Sequence, residues 1–94
     1  MSKQVLGVLC SGRGTDLQSI IDAIGRGEVD ATIALVLTDK PDAYALTRAE
    51  KAGIKAVCID RKPFDGRQPF EEALIKALDE AGVTLVVLAG FMRI

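Results

Sequence analysis

Between Cys10 and Gln18 the chain runs Ser11-Gly12-Arg13-Gly14-Thr15-Asp16-Leu17, a polar, glycine-opened turn that leads from an apolar run straight into an amphipathic one. Such a turn is chemically an anion site. Amides at a helix N-terminus carry partial positive charge, and glycines let the backbone approach a phosphate with no side chain in the way. The ligand this points to is a phosphorylated small molecule. The chain has no histidine, so general acid or base work has to come from other groups. Two cysteines and no histidine also leave no tetrahedral zinc set, and no metal is expected.

Several phosphate chemistries begin with glycines. Gly12-Arg13-Gly14 opens like the dinucleotide fingerprint, but Leu17 stands where the third glycine would allow tight helix-to-strand packing. Asp39, at the end of the second apolar run, could hold a ribose hydroxyl, which keeps a nicotinamide or mononucleotide reading open. The plainer reading of Asp39 is a loop carboxylate capping a turn. The Gly-x-x-x-x-Gly-Lys pattern of nucleoside triphosphatases is absent.

These residues need a scaffold, and the hydrophobic pattern supplies one. Val5 to Cys10, Ala31 to Leu37, Ile54 to Ile59 and Val83 to Ala89 are short apolar runs of the kind found in strands covered on both faces. Leu17, Ile20, Ile21 and Ile24 form one helical stripe closed by Gly25 and Gly27. Asp42 is placed to cap a second, alanine-rich helix, with Ala45, Leu46, Ala49 and Ala52 facing inward and Gly53 at its end. Arg61 to Pro69 reads as a polar loop. Phe70, Ala73, Leu74, Ala77, Leu78 and Ala81 mark the third helix. Strands alternating with helices specify parallel βαβ units.

The expected fold is α/β, a Rossmann-like open parallel sheet of four strands in the order 3-2-1-4 with three helices, in a single domain over residues 1–94. Right-handed crossovers then put the first two helices on one face and the third on the other. The switch point lies between strands one and four, so the Gly12 to Asp16 turn and Gly90 to Ile94 meet at one crevice. Cys10 and Cys58 fall on strands separated by a third, about 10 Å apart. A disulfide needs roughly 4.4 to 6.8 Å between Cα atoms, so two reduced thiols are expected.

Composition narrows the partners. Hydrophobic content of 49% with 27% charged residues is ordinary for a globular domain, and a net charge of −1 with few aromatic side chains argues against nucleic acid. No apolar stretch approaches the roughly 20 residues that span a bilayer, and no signal peptide is recognisable, so no membrane association and a cytoplasmic location are expected.

The blocks Ser11 to Ala23, Ala49-x-x-Ala52-Gly53-Ile54, Phe64-Asp65-x-Arg67 and Ala89-Gly90-Phe91-Met92-Arg93-Ile94 resemble, in the same order, those of the glycinamide ribonucleotide formyltransferase family. The resemblance covers the whole chain. It implies transfer of a formyl group from 10-formyltetrahydrofolate to glycinamide ribonucleotide in purine synthesis. It also implies that Gly14, Thr15 and Asp16 receive the ribonucleotide phosphate, through backbone amides and the Thr15 hydroxyl. Arg67, Met92, Arg93 and Ile94 would touch the folate. Read without the family, Met92 and Ile94 would be core residues and Arg67 a surface residue.

Asp16 departs from the family's usual Asn. A carboxylate roughly 5 Å from a phosphate costs about 3 kcal/mol at an effective dielectric near 20, less where water screens it, with Arg13 the nearest offset. The family's catalytic Asn, His and Asp have no counterpart here. They are expected beyond Ile94, so no catalytic residue is assigned, the C-terminal catalytic half is expected to be absent, and the chain alone is expected to be inactive. The alternative is a non-catalytic mononucleotide-binding module. The strand Val83 to Ala89 would be left as an apolar sheet edge, predicting self-association through it or a disordered C-terminal segment.

Overall fold

The computed structural model describes residues 4–10, 12–60 and 62–91. Its elements run β1 (Gln4–Cys10), α1 (Thr15–Gly25), β2 (Ala31–Thr38), α2 (Tyr44–Lys51), β3 (Ala56–Cys58), α3 (Arg67–Glu80) and β4 (Leu85–Ala89). The strands form one parallel sheet in the order β3-β2-β1-β4. This is the order expected from short right-handed crossovers.

Alternation along β1 divides the core in two. Leu6, Val8 and Cys10 pack with Leu17 of α1 and Ala45 and Ala49 of α2 on one face, while Leu9 packs with Phe70, Leu74 and Leu78 of α3 on the other. Gly7 lies on the α3 side, where a Cβ would collide with the Leu78 side chain and come within 3.0 Å of Val83. The close approach of helix to strand that the missing third glycine would have given α1 is therefore made by Gly7 under α3. Leu17 instead fills its own interface and is fully buried.

β2 changes face midway. Ile33 belongs to the α1 and α2 side and Leu35 to the α3 side, although alternation alone would put both on one face. The ladder shifts there: Leu6 pairs with Ile33 but Gly7 with Leu35, so Ala34 is an extra residue that flips the strand.

Four local expectations are corrected. Asp42 does not cap α2; the N-cap is Ala43, in extended conformation, and no side chain bonds to the first turn. The Ala43 amide instead closes a turn onto the Lys40 carbonyl at 3.2 Å, which moves the helix start past Asp42. Ala52 is exposed rather than inward, because α2 ends at Lys51 and Ala52 is its C-cap. The polar loop ends earlier than Pro69: α3 begins at Arg67, since proline fits the first helical turn, where no intrahelical N–H is needed. β3 is also shorter than Ile54 to Ile59, although Lys55 and Ile59 extend its pairing to β2 through single bonds of 2.9 and 2.8 Å.

β4 is an edge strand, with Leu85 at 49%, Val86 at 45% and Leu88 at 54% exposure. Cys10, Thr38 and Cys58 sit in register across β1, β2 and β3, which separates the two cysteines by a whole strand, and both are free.

Candidate anion site at the switch point

β1, β2 and β3 each deliver the following helix from their carboxyl ends, so the N-termini of α1, α2 and α3 share one edge. None of the three has a side-chain cap, so an uncapped first turn does not by itself single out α1. Its place does. α1 leaves β1, whose two neighbours β2 and β4 lead off in opposite directions, and that is the switch point of an open α/β sheet.

The turn itself is left-handed at both glycines, with φ of 70° at Gly12 and 72° at Gly14, a conformation other residues rarely adopt. Gly14 is the N-cap, and its carbonyl accepts the Gln18 amide at 2.9 Å. The two glycines differ in surroundings. Gly12 has open space where a Cβ would stand. At Gly14 a Cβ would lie 2.7 Å from Cβ and 2.8 Å from Cα of Ala45, so the back of the turn rests on the backbone of α2. Thr15 and Asp16 are exposed at the start of the helix.

Arg48, one turn beyond Ala45, reaches the same place. Its Nε–H donates to the Arg13 carbonyl at 2.8 Å, a terminal nitrogen donates to Gln18 Oε1 at 3.2 Å, and its guanidinium lies 4.8 Å from the centre of the Tyr44 ring.

On the other side of the turn stands the exit of β4. Gly90 forms an isolated bridge with Cys10, and a Cβ on it would be 4.0 Å from Asp16 Oδ2. Phe91 turns to the opposite face and lies against Phe70 in the first turns of α3, with ring centroids 6.5 Å apart and planes 15° from parallel. Phe64 meets Phe70 edge-on at 5.8 Å. Gly90 and Phe91 thus tie the glycine turn to the start of α3.

Gly14, Thr15 and Asp16 stand together at the start of α1, with Asp16 beside Gly90 at the exit of β4. Arg67 is placed in the first turn of α3, one turn before Phe70, where its Nε–H donates to Glu71 Oε2 at 2.9 Å. Met92, Arg93 and Ile94 lie outside the described residues, as do Ser11 and Arg61. Asp39 is 5% exposed, and the following Lys40 amide donates to Thr38 Oγ1 at 3.2 Å. Cys10, beneath the turn, has its thiol pushed up to about 11, first by burial and then by the charge of Asp39. Among the described residues no group of three or more His, Cys, Asp or Glu could hold a metal ion.

Sequence reading missed Ala45, Arg48 and the anchoring role of Phe91. Ala45 was recognisable as inward, but not as the contact of Gly14. Nothing in the spacing of Arg48 points to a carbonyl 35 residues earlier.

A parallel α/β sheet with a glycine-opened helix start at its switch point defines a class, the open Rossmann-like α/β domains. Within that class the chain belongs to the formyl transferase family, whose N-terminal domain model matches residues 4–94. It is 44% identical over 89 residues to the phosphoribosylglycinamide formyltransferase of Haemophilus influenzae, covering 95% of this chain and 42% of that protein. The Escherichia coli protein of the same name is 42% identical over 87 residues, covering 93% of this chain and 41% of its own length. Among solved structures, glycinamide ribonucleotide transformylase 1 from Symbiobacterium toebii superposes with a TM-score of 0.94 at 42% identity, over 98% of this chain and 43% of that one. The chain therefore spans about two fifths of the length of these relatives.

Proposed function

We propose that this chain is the ribonucleotide-binding part of a phosphoribosylglycinamide formyltransferase, which moves a formyl group from 10-formyltetrahydrofolate to the amine of glycinamide ribonucleotide. The reading is supported above all by one coincidence: the segment matched to the family begins in β1 and contains an open, glycine-flanked helix start at the switch point. Gly14, Thr15 and Asp16 receive the phosphate, the amides of the first turn and the Thr15 hydroxyl supplying donors that complement its charge. Arg67 and the segment Met92, Arg93 and Ile94 contact the folate, and the Phe70–Phe91 stack supports this by drawing the start of α3 to the exit of β4.

The chemistry is attack of the ribonucleotide amine on the formyl carbon, with collapse of the tetrahedral intermediate expelling the folate nitrogen. This chain holds the phosphate end of the nucleophile. The chain spans about two fifths of its relatives' length, and the proton-transfer and oxyanion groups are assigned to the remainder of the protein. The reaction takes place in the cytoplasm, a setting that suits two free thiols.

The test has two parts. Calorimetric titration of the chain with glycinamide ribonucleotide should show binding that ribose 5-phosphate competes away, and the chain alone should show no turnover. Fusion to the C-terminal portion of the Escherichia coli relative should then produce formyl transfer. Ribonucleotide binding without turnover in a folded fusion would favour the non-catalytic binding module. Absence of ribonucleotide binding would end the phosphate assignment.

A further inference from the structure

We infer that Arg48 is a positioning residue for the anion site, acting from behind the glycine turn to aim the Gly14 amide at the phosphate; the inference rests on the phosphate reading above. A trans peptide is planar, and its C=O and N–H point in opposite directions. The peptide joining Arg13 and Gly14 has its carbonyl held on the α2 side by Arg48 Nε–H at 2.8 Å. The N–H of that same peptide, which belongs to Gly14, is thereby turned away from α2.

Two independent features agree on which side is the back. Gly14 is packed so closely on Ala45 that no Cβ fits, whereas Gly12 faces open space. The second Arg48 bond, to Gln18 Oε1 at 3.2 Å, fixes the same guanidinium to the first turns of α1, and Tyr44 lies beneath it at 4.8 Å. A planar fork held at these points has little freedom to swing, so the carbonyl it holds is fixed as well. The anion then meets an amide that is already oriented and does not have to turn a flexible glycine peptide on binding.

Arg48 also contributes positive charge near the turn, and the experiment has to separate that from aiming. Amide NMR of the chain and of Arg48→Ala reports the Gly14 resonance without ligand, and titration with inorganic phosphate at low and high salt reports affinity. Arg48→Ala should move the Gly14 resonance and weaken phosphate about ten-fold, the scale of one hydrogen bond to a charged group. The loss should persist at high salt, where a point charge is screened. Arg48→Lys, which keeps one donor within reach but not the planar fork, should recover part of both signals. Should Arg48→Ala fail to fold, Arg48→Met replaces it, keeping the stem packed on Gly14.

An unmoved Gly14 resonance, unchanged affinity, or a loss that vanishes at high salt overturns the inference. A chain that binds no phosphate at all overturns the phosphate reading, and the orientation claim is then decided by the Gly14 resonance: moved in Arg48→Ala and partly restored in Arg48→Lys, it stands; unmoved, it fails.

Discussion

Phe91 lies against Phe70 with ring planes 15° apart and centroids 6.5 Å apart, joining the exit of the edge strand β4 to the first turns of α3. Both rings are almost fully buried, at 6% and 2% exposure. Gly90, beside this contact, bridges to Cys10 and lies next to Asp16, so the stack also fixes the start of α3 relative to the start of α1. Phe91→Ala should destabilise the chain by about 3 kcal/mol, within the range for emptying a buried aromatic site, and Phe91→Leu by about 1 kcal/mol. Urea unfolding followed by circular dichroism checks both values. A loss below about 1 kcal/mol for Phe91→Ala would mean that the stack carries no weight.

The two glycines of the turn make a matched pair with different expectations. Gly12→Ala meets only the conformational cost of a left-handed residue, about 1 to 2 kcal/mol, because the space around it is open. Gly14→Ala meets that cost and a collision with the Ala45 backbone at 2.8 Å, so α1 and α2 must separate. The sum is about 3 kcal/mol or more, and phosphate binding should be lost with it. Equal melting temperatures for the two variants would contradict the packing of Gly14 on α2.

Asp16 sits exposed in the first turn of α1, with Oδ2 4.0 Å from where a Cβ on Gly90 would be. Its carboxylate is favourable to the helix N-terminus by about 0.5 kcal/mol and unfavourable to an anion bound there. Asp16→Asn should therefore move two measurements in opposite senses: thermal stability falls slightly, while ribose 5-phosphate binds about ten-fold more tightly at low salt. Unchanged or weaker binding in a calorimetric titration would rule out this electrostatic account.

Cys10 gives the chain a stability limit in alkali. Its thiol is pushed up to about 11 from an ordinary value of 9.0, by burial and then by Asp39. In the unfolded chain the proton leaves near 9.0, while the folded chain keeps it until about 11. The native state binds more protons between those values, so stability is full below pH 9.0 and falls as pH rises to about 11. The loss is of order 3 kcal/mol. Denaturant midpoints measured across that window should fall, and Cys10→Ala should flatten the profile. Cys58, half-buried, should react with a thiol reagent well before the fully buried Cys10 does.

What the residues disclosed in advance and what they concealed divide by range. The order β3-β2-β1-β4 follows from short connections and a fixed crossover hand, and with it the approach of Asp16, at the end of the glycine turn, to Gly90. Periodicity identified Phe70, Leu74 and Leu78 as the buried stripe of α3 because that signal is local. The face change between Ile33 and Leu35 is invisible to periodicity, since a bulge is set by the neighbouring strand. Pro69 punctuated the sequence correctly but on the wrong side of the helix start, because proline fits a first turn as well as it ends a loop. The bond from Arg48 to the Arg13 carbonyl joins residues 35 apart through the packing of α1 on α2, which no local pattern encodes.

The edge formed by β4 is the remaining surface whose behaviour can be measured directly. Leu85, Val86 and Leu88 are each about half exposed, and beside them an apolar groove is lined by Leu6, Ile20, Ala23 and Val87. A strand edge of this kind offers unpaired backbone groups together with hydrophobic side chains, the combination that favours pairing with another strand. We propose that isolated 94-residue chains associate through it. Sedimentation velocity should show a concentration-dependent dimer, and Val86→Lys or Leu88→Lys should shift it to monomer without loss of helical signal, because lysine on an edge opposes pairing. A wild-type chain that sediments as a single monomer at every concentration, with the β4 amides protected from exchange, would show that the edge is stable facing water.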